Sequence, residues 1–550
     1  MELGTILSPQ RIAAARSAGL WPDRLLTDDL DEHARARPDQ VAITDHNSMT
    51  GRSTALSYRQ LKRLVDRAAL GLLELGIGPG DVVGLQLPNW WQMAAMHLAC
   101  VRIGAITNPL MPIFRARELG YMLGFAECRL LVVPRLFRNF DYPAMVAALR
   151  SELPALRHVK VIGGDGADSF EAHFVDRRWE DAPDTAARLA ARRPGANDVL
   201  LLNYTSGTTG HPKGVMHSAN TMLGNLGPYV RRVGLTQRDV FLMASPLAHL
   251  TGFYYGFLAP LMLGARTVLQ DIWNPTEAAR IVSDEGVTFT MGATPFLADL
   301  TDTPAWETYS NASLRIFLSA GAPIPRVLVE RATKRLGAAV LSGWGMTENG
   351  CVTCCRADDP PERVFGTDGG PIEGAEVRVV DAEGCPVAAG AEGRLQVRGF
   401  CNFLGYLKQP AAYGVDAEGW FETGDLAAMT PDGCIRISGR SKDIVIRGGE
   451  NIPVVEVEEA LYRHPSVQDA AVVAMPDPRM AERACAFVTL KPDAKLDMAS
   501  LQAHLDRLKL SKTYWPERLE IIAEMPRTAS GKIQKYVLRE QAKQFAPAGG

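Results

Sequence analysis

The sequence predicts an α/β fold followed by a smaller α+β domain. Over the first 150 residues, short apolar runs alternate with helical patterns: a strand-like run at 81–89 stops at Pro88, a helical pattern covers 90–104, and a second strand-like run follows at 129–134. This alternation is typical of parallel strands covered by helices. Near the end of the chain, two helical patterns and two apolar strands occupy about 110 residues, the size of a small separate domain.

Length and composition place the chain among folded globular proteins. Its 550 residues are 47% hydrophobic and 22% charged, which excludes disordered, collagen-like and coiled-coil chains. The 59 Lys and Arg nearly balance the 62 Asp and Glu, so we expect no nucleic-acid partner. Nine scattered Cys favour reduced thiols, and no apolar run precedes a cleavage site near the start. We therefore expect a cytoplasmic protein.

One segment, 241–265, contains no Asp, Glu, Lys or Arg and is long enough to span a bilayer. It is interrupted by two prolines and three glycines, which would leave backbone groups unpaired in lipid. We therefore predict a buried, kinked helix with a loop before it and no transmembrane segment. A membrane-associated fatty-acid uptake protein stays an alternative that this segment leaves open.

The later part of the chain has a different pattern. From Gly374 onward, short strands are separated by turn clusters, which predicts a small β-rich module. The polar segment 163–197 predicts an excursion over the surface. The predicted division is an N-terminal domain at 1–439 and a C-terminal domain at 440–550.

The strongest chemical signal is YTSGTTGHPKGV at 204–215, directly after an apolar strand. Glycines let the backbone approach an anion, hydroxyls donate to it and a lysine supplies charge, so the loop predicts polyphosphate binding. It does not match the Walker A spacing, which disfavours a P-loop NTPase. A flexible Ser/Thr/Gly loop is the alternative interpretation. The proposed phosphate-binding residues are Thr205, Ser206, Gly207, Thr208, Thr209, Gly210 and Lys213.

A second cluster, CVTCC, contains Cys351, Cys354 and Cys355. A CxxC pair is compatible with metal binding or redox chemistry, but no second pair stands at zinc spacing. We expect small buried residues here instead.

The phosphate-binding string resembles a motif of the adenylate-forming enzymes, the superfamily of acyl-CoA synthetases, peptide-synthetase adenylation domains and luciferases. Five further motifs occur in the order of that superfamily. The resemblance implies a large N-terminal α/β domain with stacked sheets and a β-barrel-like part, and a small, mobile α+β C-terminal domain. The motifs are SAGAPI at 319–324, GWGMTENG at 343–350, TGDL at 423–426, GRSKDIVIRGGENI at 439–452 and PRTASGKIQK at 526–535.

The resemblance also assigns nucleotide contacts. Trp344 stands where the superfamily stacks an aromatic ring on the base. Asp425 resembles the acceptor for two ribose hydroxyls, a role that suits a carboxylate, and Arg440 resembles a second ribose or phosphate contact. Glu348, together with Thr205, would hold Mg²⁺ against phosphate oxygens. The remaining implied nucleotide contacts are Gly321, Ala322, Pro323, Gly345, Met346 and Thr347.

Lys532 is the residue to which the resemblance assigns the first chemical step. A carboxylate must attack the α-phosphorus of ATP, so a cation that bridges the two anions offsets their repulsion and orients them. A solvated basic tail is the alternative interpretation of this region. Lys442 occupies the implied hinge between two domain orientations. The implied coenzyme A tunnel contains Arg447, Gly448 and Gly449.

His249 stands where acyl-CoA synthetases close the acyl pocket, and a merely buried His is the alternative. The next residue is Leu250, whereas amino-acid-activating members carry an Asp that pairs with the substrate amine. An apolar residue does not balance a buried ammonium, so an amino-acid substrate is disfavoured.

The predicted function is an ATP-dependent acyl-CoA ligase that proceeds through acyl-AMP. Segment 88–123 resembles alicyclic and medium-chain acid ligases, cyclohexanecarboxylate–CoA ligases in particular. The expected partners are a small apolar acid, ATP, Mg²⁺ and coenzyme A. Transfer to a carrier-protein thiol stays an alternative, and the oligomeric state is left open, a homodimer included.

Overall fold

The structure is a computed structural model that describes residues 2–205, 212–321, 324–440, 443–447, 450–477, 479–528 and 531–545. The α-helices are α1 (Pro9–Ser17), α2 (Leu26–Ala36), α3 (Tyr58–Glu74), α4 (Trp91–Arg102), α5 (Ala116–Phe125), α6 (Tyr142–Leu149), α7 (Thr185–Ala190), α8 (Ala219–Val233), α9 (Ala259–Leu263), α10 (Pro275–Glu285), α11 (Thr294–Asp302), α12 (Arg326–Leu336), α13 (Pro361–Gly366), α14 (Val454–Tyr462), α15 (Met498–Arg507) and α16 (Lys535–Lys543).

Among the described residues, the strands form three sheets and one two-stranded hairpin up to residue 440 and one further sheet after it. They are β1 (Val41–Asn47), β2 (Arg52–Ser57), β3 (Val82–Leu85), β4 (Ile106–Pro109), β5 (Leu130–Pro134), the short hairpin β6 (Leu136–Phe137) and β7 (Phe140–Asp141), β8 (His158–Ile162), β9 (Val199–Tyr204), β10 (Gly214–Ser218), β11 (Val240–Met243), β12 (Arg266–Gln270), β13 (Phe289–Gly292), β14 (Ile316–Ala320), β15 (Ala339–Met346), β16 (Gly350–Cys354), β17 (Gly370–Pro371), β18 (Ala375–Val380), β19 (Glu392–Gly399), β20 (Phe421–Met429), β21 (Ile435–Arg440), β22 (Val445–Arg447), β23 (Glu450–Ile452), β24 (Val467–Asp477), β25 (Ala481–Leu490) and β26 (Arg518–Ile521).

Two large sheets with mainly parallel strands confirm the predicted α/β class. One has the order β17-β16-β15-β14-β13-β11-β12-β1-β2 and the other β10-β9-β4-β3-β5-β8. Their central strands pair in parallel, and antiparallel strands stand at the edges. Strands such as β5 and β14 are buried throughout, as expected for parallel strands covered on both faces.

The uncharged segment 241–265 lies inside this core. It contains the end of β11, a loop, a π-helix at Gly252–Leu258 and α9, and its aromatic side chains are buried. An added Cβ at Gly252 would lie 2.3 Å from the carbonyl oxygen of Pro246, so only glycine permits the helix to pack this closely on the loop. Among the described residues, no helix is both long and apolar enough to cross a bilayer.

The polar segment 163–197 is more anchored than predicted. It consists of short helical turns and α7, and most of its side chains face solvent. Phe170 and Phe174 are nevertheless buried in the main core, and Phe174 packs directly over Gly71 of α3. The composition suggested a surface excursion because two aromatic residues are a weak signal in a charged stretch.

The predicted β-rich module is a four-stranded antiparallel meander, β18-β19-β20-β21. Its last strand ends at Arg440, and the next described strand, β22, belongs to the C-terminal sheet β23-β22-β25-β24, to which β26 adds beside β25. Helices α14, α15 and α16 pack on that sheet and give it its own buried clusters. The small α+β domain is therefore confirmed, while its mobility and the boundary at 439/440 stay predictions.

Candidate active site

A cleft opens at the carboxyl ends of three adjacent parallel strands, β13, β14 and β15. This edge of an open α/β sheet is where ligands bind in such folds. The cleft encloses about 400 Å³ of empty space, including its opening to solvent. Its lining combines predicted site residues with apolar side chains and backbone: His249, Leu250, Thr251, Tyr255, Met291, Ala320, Gly321, Gly345, Met346, Thr347, Gly350, Cys351 and Lys532.

Lys532 reaches this cleft from the C-terminal domain. It lies in the segment before α16, and its backbone N–H donates to Thr528 Oγ1 at 3.1 Å. The side chain passes Gly321, where an added Cβ would lie 3.4 Å from Lys532 Cε. Gly321 also has φ +87°, a conformation that favours glycine. The backbone conformation, and not a lack of space beside Lys532, is therefore what favours glycine at this position.

The electrostatic surroundings of Lys532 lower the pKa of its ammonium to about 8. Burial is the largest cause and the positive charge of Arg440 adds to it, while Asp425 and Glu348 act in the opposite direction. At pH 7 a pKa near 8 leaves about nine-tenths of the side chain charged. Lys532 is therefore a cation held near two carboxylates at the edge of an apolar cleft.

Glu348 follows β15 in the turn before β16 and is 6% exposed. Its Oε1 accepts a hydrogen bond from the Tyr406 hydroxyl at 2.8 Å, and its backbone carbonyl accepts from Phe403 N–H at 2.7 Å. Burial raises the pKa of this carboxyl, while Tyr406, Arg440 and Lys213 oppose the rise. A carboxylate has about four acceptor sites, so Glu348 keeps capacity for a cation.

Asp425 lies on β20 and is 4% exposed. Its Oδ2 accepts from Trp344 Nε1 at 2.9 Å, and its Oδ1 pairs with Arg440 Nε at 2.9 Å. Asp425 and Arg440 stand opposite each other in the β20–β21 register, so the antiparallel pairing places this ion pair. Two acceptor sites of the carboxylate remain for two hydroxyls. The Trp344 contact with Asp425 was not predicted from the sequence.

The predicted phosphate loop is described only at its two ends. Thr205 follows β9 and its N–H donates to the Lys213 carbonyl at 3.0 Å, which closes the base of the loop. Lys213 Nζ lies 4.6 Å from the centre of the Tyr406 ring. Lys213 and Glu348 therefore share Tyr406 as a neighbour. Outside the described residues lie Ser206, Gly207, Thr208, Thr209, Gly210, Ala322, Pro323, Lys442, Gly448 and Gly449.

His249 lines the cleft in the loop before the π-helix. Burial, with a smaller contribution from Lys532, lowers the pKa of its imidazole to about 3, so the ring is neutral near pH 7. Its Nδ1 accepts from Thr251 N–H at 3.3 Å, which leaves the proton of the neutral ring on Nε2. Leu250, beside it, is 4% exposed.

Arg447 lies away from this cleft in the described arrangement. Its Nε pairs with Glu517, and the other oxygen of Glu517 accepts from Ala484 N–H at 3.1 Å. Both contacts are internal to the C-terminal domain. The structure thus brings Lys532 to the cleft and does not bring Arg447 there.

Three buried residues at this site were missed from the sequence. Tyr406 contacts both Glu348 and Lys213, Tyr255 lines the cleft, and Asn225 accepts a hydrogen bond from the Tyr255 hydroxyl. None belongs to a recognisable motif, because their positions depend on strand pairing far along the chain. Cys351 lines the cleft, and all nine cysteines are free thiols.

The comparisons with known proteins agree with this geometry. Residues 30–407 match the family described as AMP-binding enzyme, and residues 456–532 match the AMP-binding enzyme C-terminal domain. The chain therefore belongs to the AMP-binding enzyme family. The family match and the relatives named as acyl-CoA ligases show that the chain is an AMP-forming acid–thiol ligase that uses ATP.

Individual relatives differ in the acid that they are named for. A medium-chain fatty-acid–CoA ligase of Escherichia coli (strain K12) is 37% identical over 98% of this chain and 94% of the relative. A salicyl-AMP ligase/salicyl-S-ArCP synthetase of Mycobacterium tuberculosis (strain ATCC 25618 / H37Rv) is 34% identical over 96% and 93%. The crystal structure of the anthranilate CoA ligase AuaEII in complex with anthranoyl-AMP matches with a TM-score of 0.84, at 27% identity over 95% and 98% of the two chains.

Proposed function

We propose that this enzyme activates an apolar carboxylic acid, alicyclic or medium-chain, and transfers the acyl group to coenzyme A. The observation that carries the proposal is the lining of the cleft. Its side chains away from Lys532 are uncharged near pH 7, and Leu250 occupies the place beside His249. No Asp or Glu stands among the lining residues that the structure describes. Such a cleft favours an acid whose carboxylate is its only polar group.

In the first step the carboxylate oxygen attacks the α-phosphorus of ATP, a new P–O bond forms, and pyrophosphate leaves. We propose that Lys532 contacts both anions. Its cation lies at the edge of the apolar cleft near Glu348 and Asp425, which supports this role. A fixed cation here offsets the repulsion of two approaching anions and costs no reorganisation at the moment of reaction. Adenylation would therefore depend on the C-terminal domain for one chemical group, the ammonium of Lys532.

The nucleotide would lie beside Trp344 on β15 and Asp425 on β20. Asp425 is already held by Trp344 and Arg440, so its remaining acceptor sites have fixed directions toward ribose hydroxyls. A fixed ribose would hold the α-phosphate in a fixed position relative to Lys532. Holding the reactants in this way lowers the entropic cost of reaching the transition state.

Magnesium fits the residues present. Mg²⁺ binds through one or two carboxylates together with substrate phosphates and water. Glu348 is a buried carboxylate with spare acceptor sites, near the Lys213 end of the phosphate loop. The ion would neutralise phosphate charge, with Glu348 as its protein ligand and Thr205 as a second, oxygen-bearing neighbour.

In the second step a thiol attacks the acyl carbonyl, a thioester forms and AMP leaves. We propose that the C-terminal domain rotates about Lys442 to bring Arg447 and its neighbours toward the cleft. This motion is supported by the position of Arg447, which is remote from the cleft while Lys532 occupies it.

The test is a panel of acids with ATP and Mg²⁺, with and without coenzyme A, in which pyrophosphate and AMP are both measured. The panel contains cyclohexanecarboxylate, hexanoate, octanoate, salicylate, acetate and leucine. We expect a preference for the alicyclic or medium-chain acids, and AMP release that requires coenzyme A. A preference for salicylate, acetate or leucine would overturn the proposed substrate class. Release of acyl-AMP without thioester formation would favour a carrier-protein thiol as the acceptor.

A further inference from the structure

Tyr255 forms a wall of the cleft, and hydrogen bonds fix its hydroxyl group on two sides. The residue lies in the π-helix Gly252–Leu258, is 1% exposed and lines the cavity. Its hydroxyl donates to Asn225 Oδ1 at 2.7 Å and accepts from Cys351 N–H at 2.6 Å. The single donor of the hydroxyl is thereby used within the protein.

Asn225, on α8, is fixed as firmly as the tyrosine that it holds. Its Nδ2 donates to the carbonyls of Asn349 at 3.1 Å and Cys351 at 2.9 Å. Gly350 has φ +71°, and an added Cβ there would lie 2.6 Å from Asn225 Cγ. Asn225 therefore has no space to retreat toward this strand.

The ring of Tyr255 also has an aromatic neighbour. The Tyr229 ring centre lies 4.3 Å from it at an interplanar angle of 43°. A movement of Tyr255 away from the cavity would break two buried hydrogen bonds and displace this ring. Buried polar groups that lose their partners are costly, so the wall does not yield to a longer ligand.

We propose that Tyr255 is a specificity-determining residue that limits the length of the acid, and that Asn225 is the positioning residue that fixes it. This inference rests on the proposed function, because it assigns the cavity to the acyl group. It predicts a sharp fall in activity beyond a certain acid length, set by a rigid ring and not by a flexible side chain.

The experiment uses the full-length enzyme with hexanoate, octanoate, decanoate and dodecanoate. Pyrophosphate release gives kcat/KM, and the shift of the melting temperature with each acid gives binding without turnover. Tyr255→Ala should move the optimum to longer acids. Each buried methylene adds about fourfold in binding, so two more methylenes should raise the long-to-short ratio of kcat/KM about fifteenfold.

If Tyr255→Ala does not fold, Tyr255→Leu replaces it in the experiment, because leucine keeps an apolar side chain at this position. It should raise the long-to-short ratio of kcat/KM by a smaller factor. Tyr255→Phe tests the hydrogen bonds alone, because it keeps the ring and removes the hydroxyl. We expect the long-to-short ratio of kcat/KM to rise about threefold, through a change in KM and not in kcat. The control is Tyr254→Phe, because Tyr254 is buried and its hydroxyl has no hydrogen-bond partner in the described part of the chain. It should leave the ratio unchanged.

A folded Tyr255→Ala or Tyr255→Leu variant that lowers activity equally for all four acids would overturn the inference, since a merely structural role does not change the ratio. The same holds if Tyr254→Phe changes the ratio as much as Tyr255→Phe does. A wild-type enzyme that neither turns over nor is stabilised by any apolar acid would overturn the proposed function and this inference with it. Turnover by the wild type with an unchanged ratio in the variants would overturn the inference alone.

Discussion

Replacement of Lys532 by alanine should separate the two half-reactions. The side chain lies beside Gly321, and among the described residues that line the cleft it is the one lysine or arginine. At an effective dielectric constant near 20, two unit charges 4 Å apart interact by about 4 kcal/mol. Loss of one group that stabilises a transition state typically costs about 2.7–4 kcal/mol, or about 10²–10³ in rate. We expect a loss of this size in adenylation.

The assay follows pyrophosphate release from acid and ATP, and, in a separate reaction, thioester formation from preformed acyl-AMP and coenzyme A. In Lys532→Ala, the rate of pyrophosphate release should fall by about 10²–10³-fold. The rate of thioester formation from acyl-AMP should remain close to that of the wild type. Lys543→Ala removes a lysine whose side chain is 58% exposed, at the end of α16, the helix that follows Lys532, and should change neither rate. Circular dichroism and melting temperature verify that both variants are folded.

The pH dependence supplies an independent check of the same argument. The active form is the ammonium, which predominates below its pKa of about 8 and is lost as the pH rises through it. Adenylation by the free enzyme, measured as kcat/KM for the acid, should therefore decline above about pH 8, and the decline should be absent in Lys532→Ala. His249, with a pKa near 3, should contribute no change between pH 6 and 8. Equal loss of both half-reactions in a folded Lys532→Ala variant would refute the reasoning.

Three further substitutions test other contacts. Trp344→Phe removes the Nε1–H donor to Asp425, and since a hydrogen bond to a charged group contributes about 1.5 kcal/mol, the KM for ATP should rise about tenfold with kcat little changed. Unaltered ATP affinity would contradict this. Glu348→Gln should raise the Mg²⁺ concentration needed for half-maximal pyrophosphate release, and an unchanged titration would exclude Glu348 as the ligand. Glu459→Gln breaks the ion pair of Arg436 with Glu459 across the two domains; adenylation should fall about fivefold, equivalent to about 1 kcal/mol, while thioester formation from acyl-AMP is spared. Equal effects on both steps would count against a contact specific to adenylation.

Much of the local structure could be predicted from sequence patterns. Runs of apolar residues gave β5 and β9 to within a residue or two, and the turn-separated strands after Gly374 gave the meander. The pattern of apolar and polar residues within each of these elements indicates its secondary structure, and that pattern can be read from the sequence. The pairing of β1 with β12 was not predictable, because it joins residues more than 200 positions apart.

The same distinction applies to the site. Lys532, Glu348 and Asp425 lie in motifs and could be named from the sequence. Tyr406, which donates to Glu348 from 58 positions away, could not. Nothing near Tyr406 in the sequence indicates phosphate or metal chemistry, since its role follows from the loop that returns after β19. The residues proposed to take part in the chemistry lie in short motifs, whereas Tyr406 reaches Glu348 only through the folded arrangement of the chain.

The contact between the two domains also bears on how one cleft performs two reactions. In the proposed mechanism, Lys532 is in the cleft for adenylation and leaves it for thioester formation, so this contact would have to orient the C-terminal domain without fixing it. Arg436 on β21 pairs with Glu459 on α14, and Asp368 lies 3.9 Å from the same guanidinium. Exposed ion pairs contribute about 0.2–1 kcal/mol, and in buried pairs desolvation cancels much of the attraction. Arg436 keeps a partner on its own domain when Glu459 departs. The ion pair therefore favours one orientation of the C-terminal domain. When it breaks, Arg436 on β21 still has Asp368 as a neighbour. The proposed reversible rotation of the domain requires a contact of this kind.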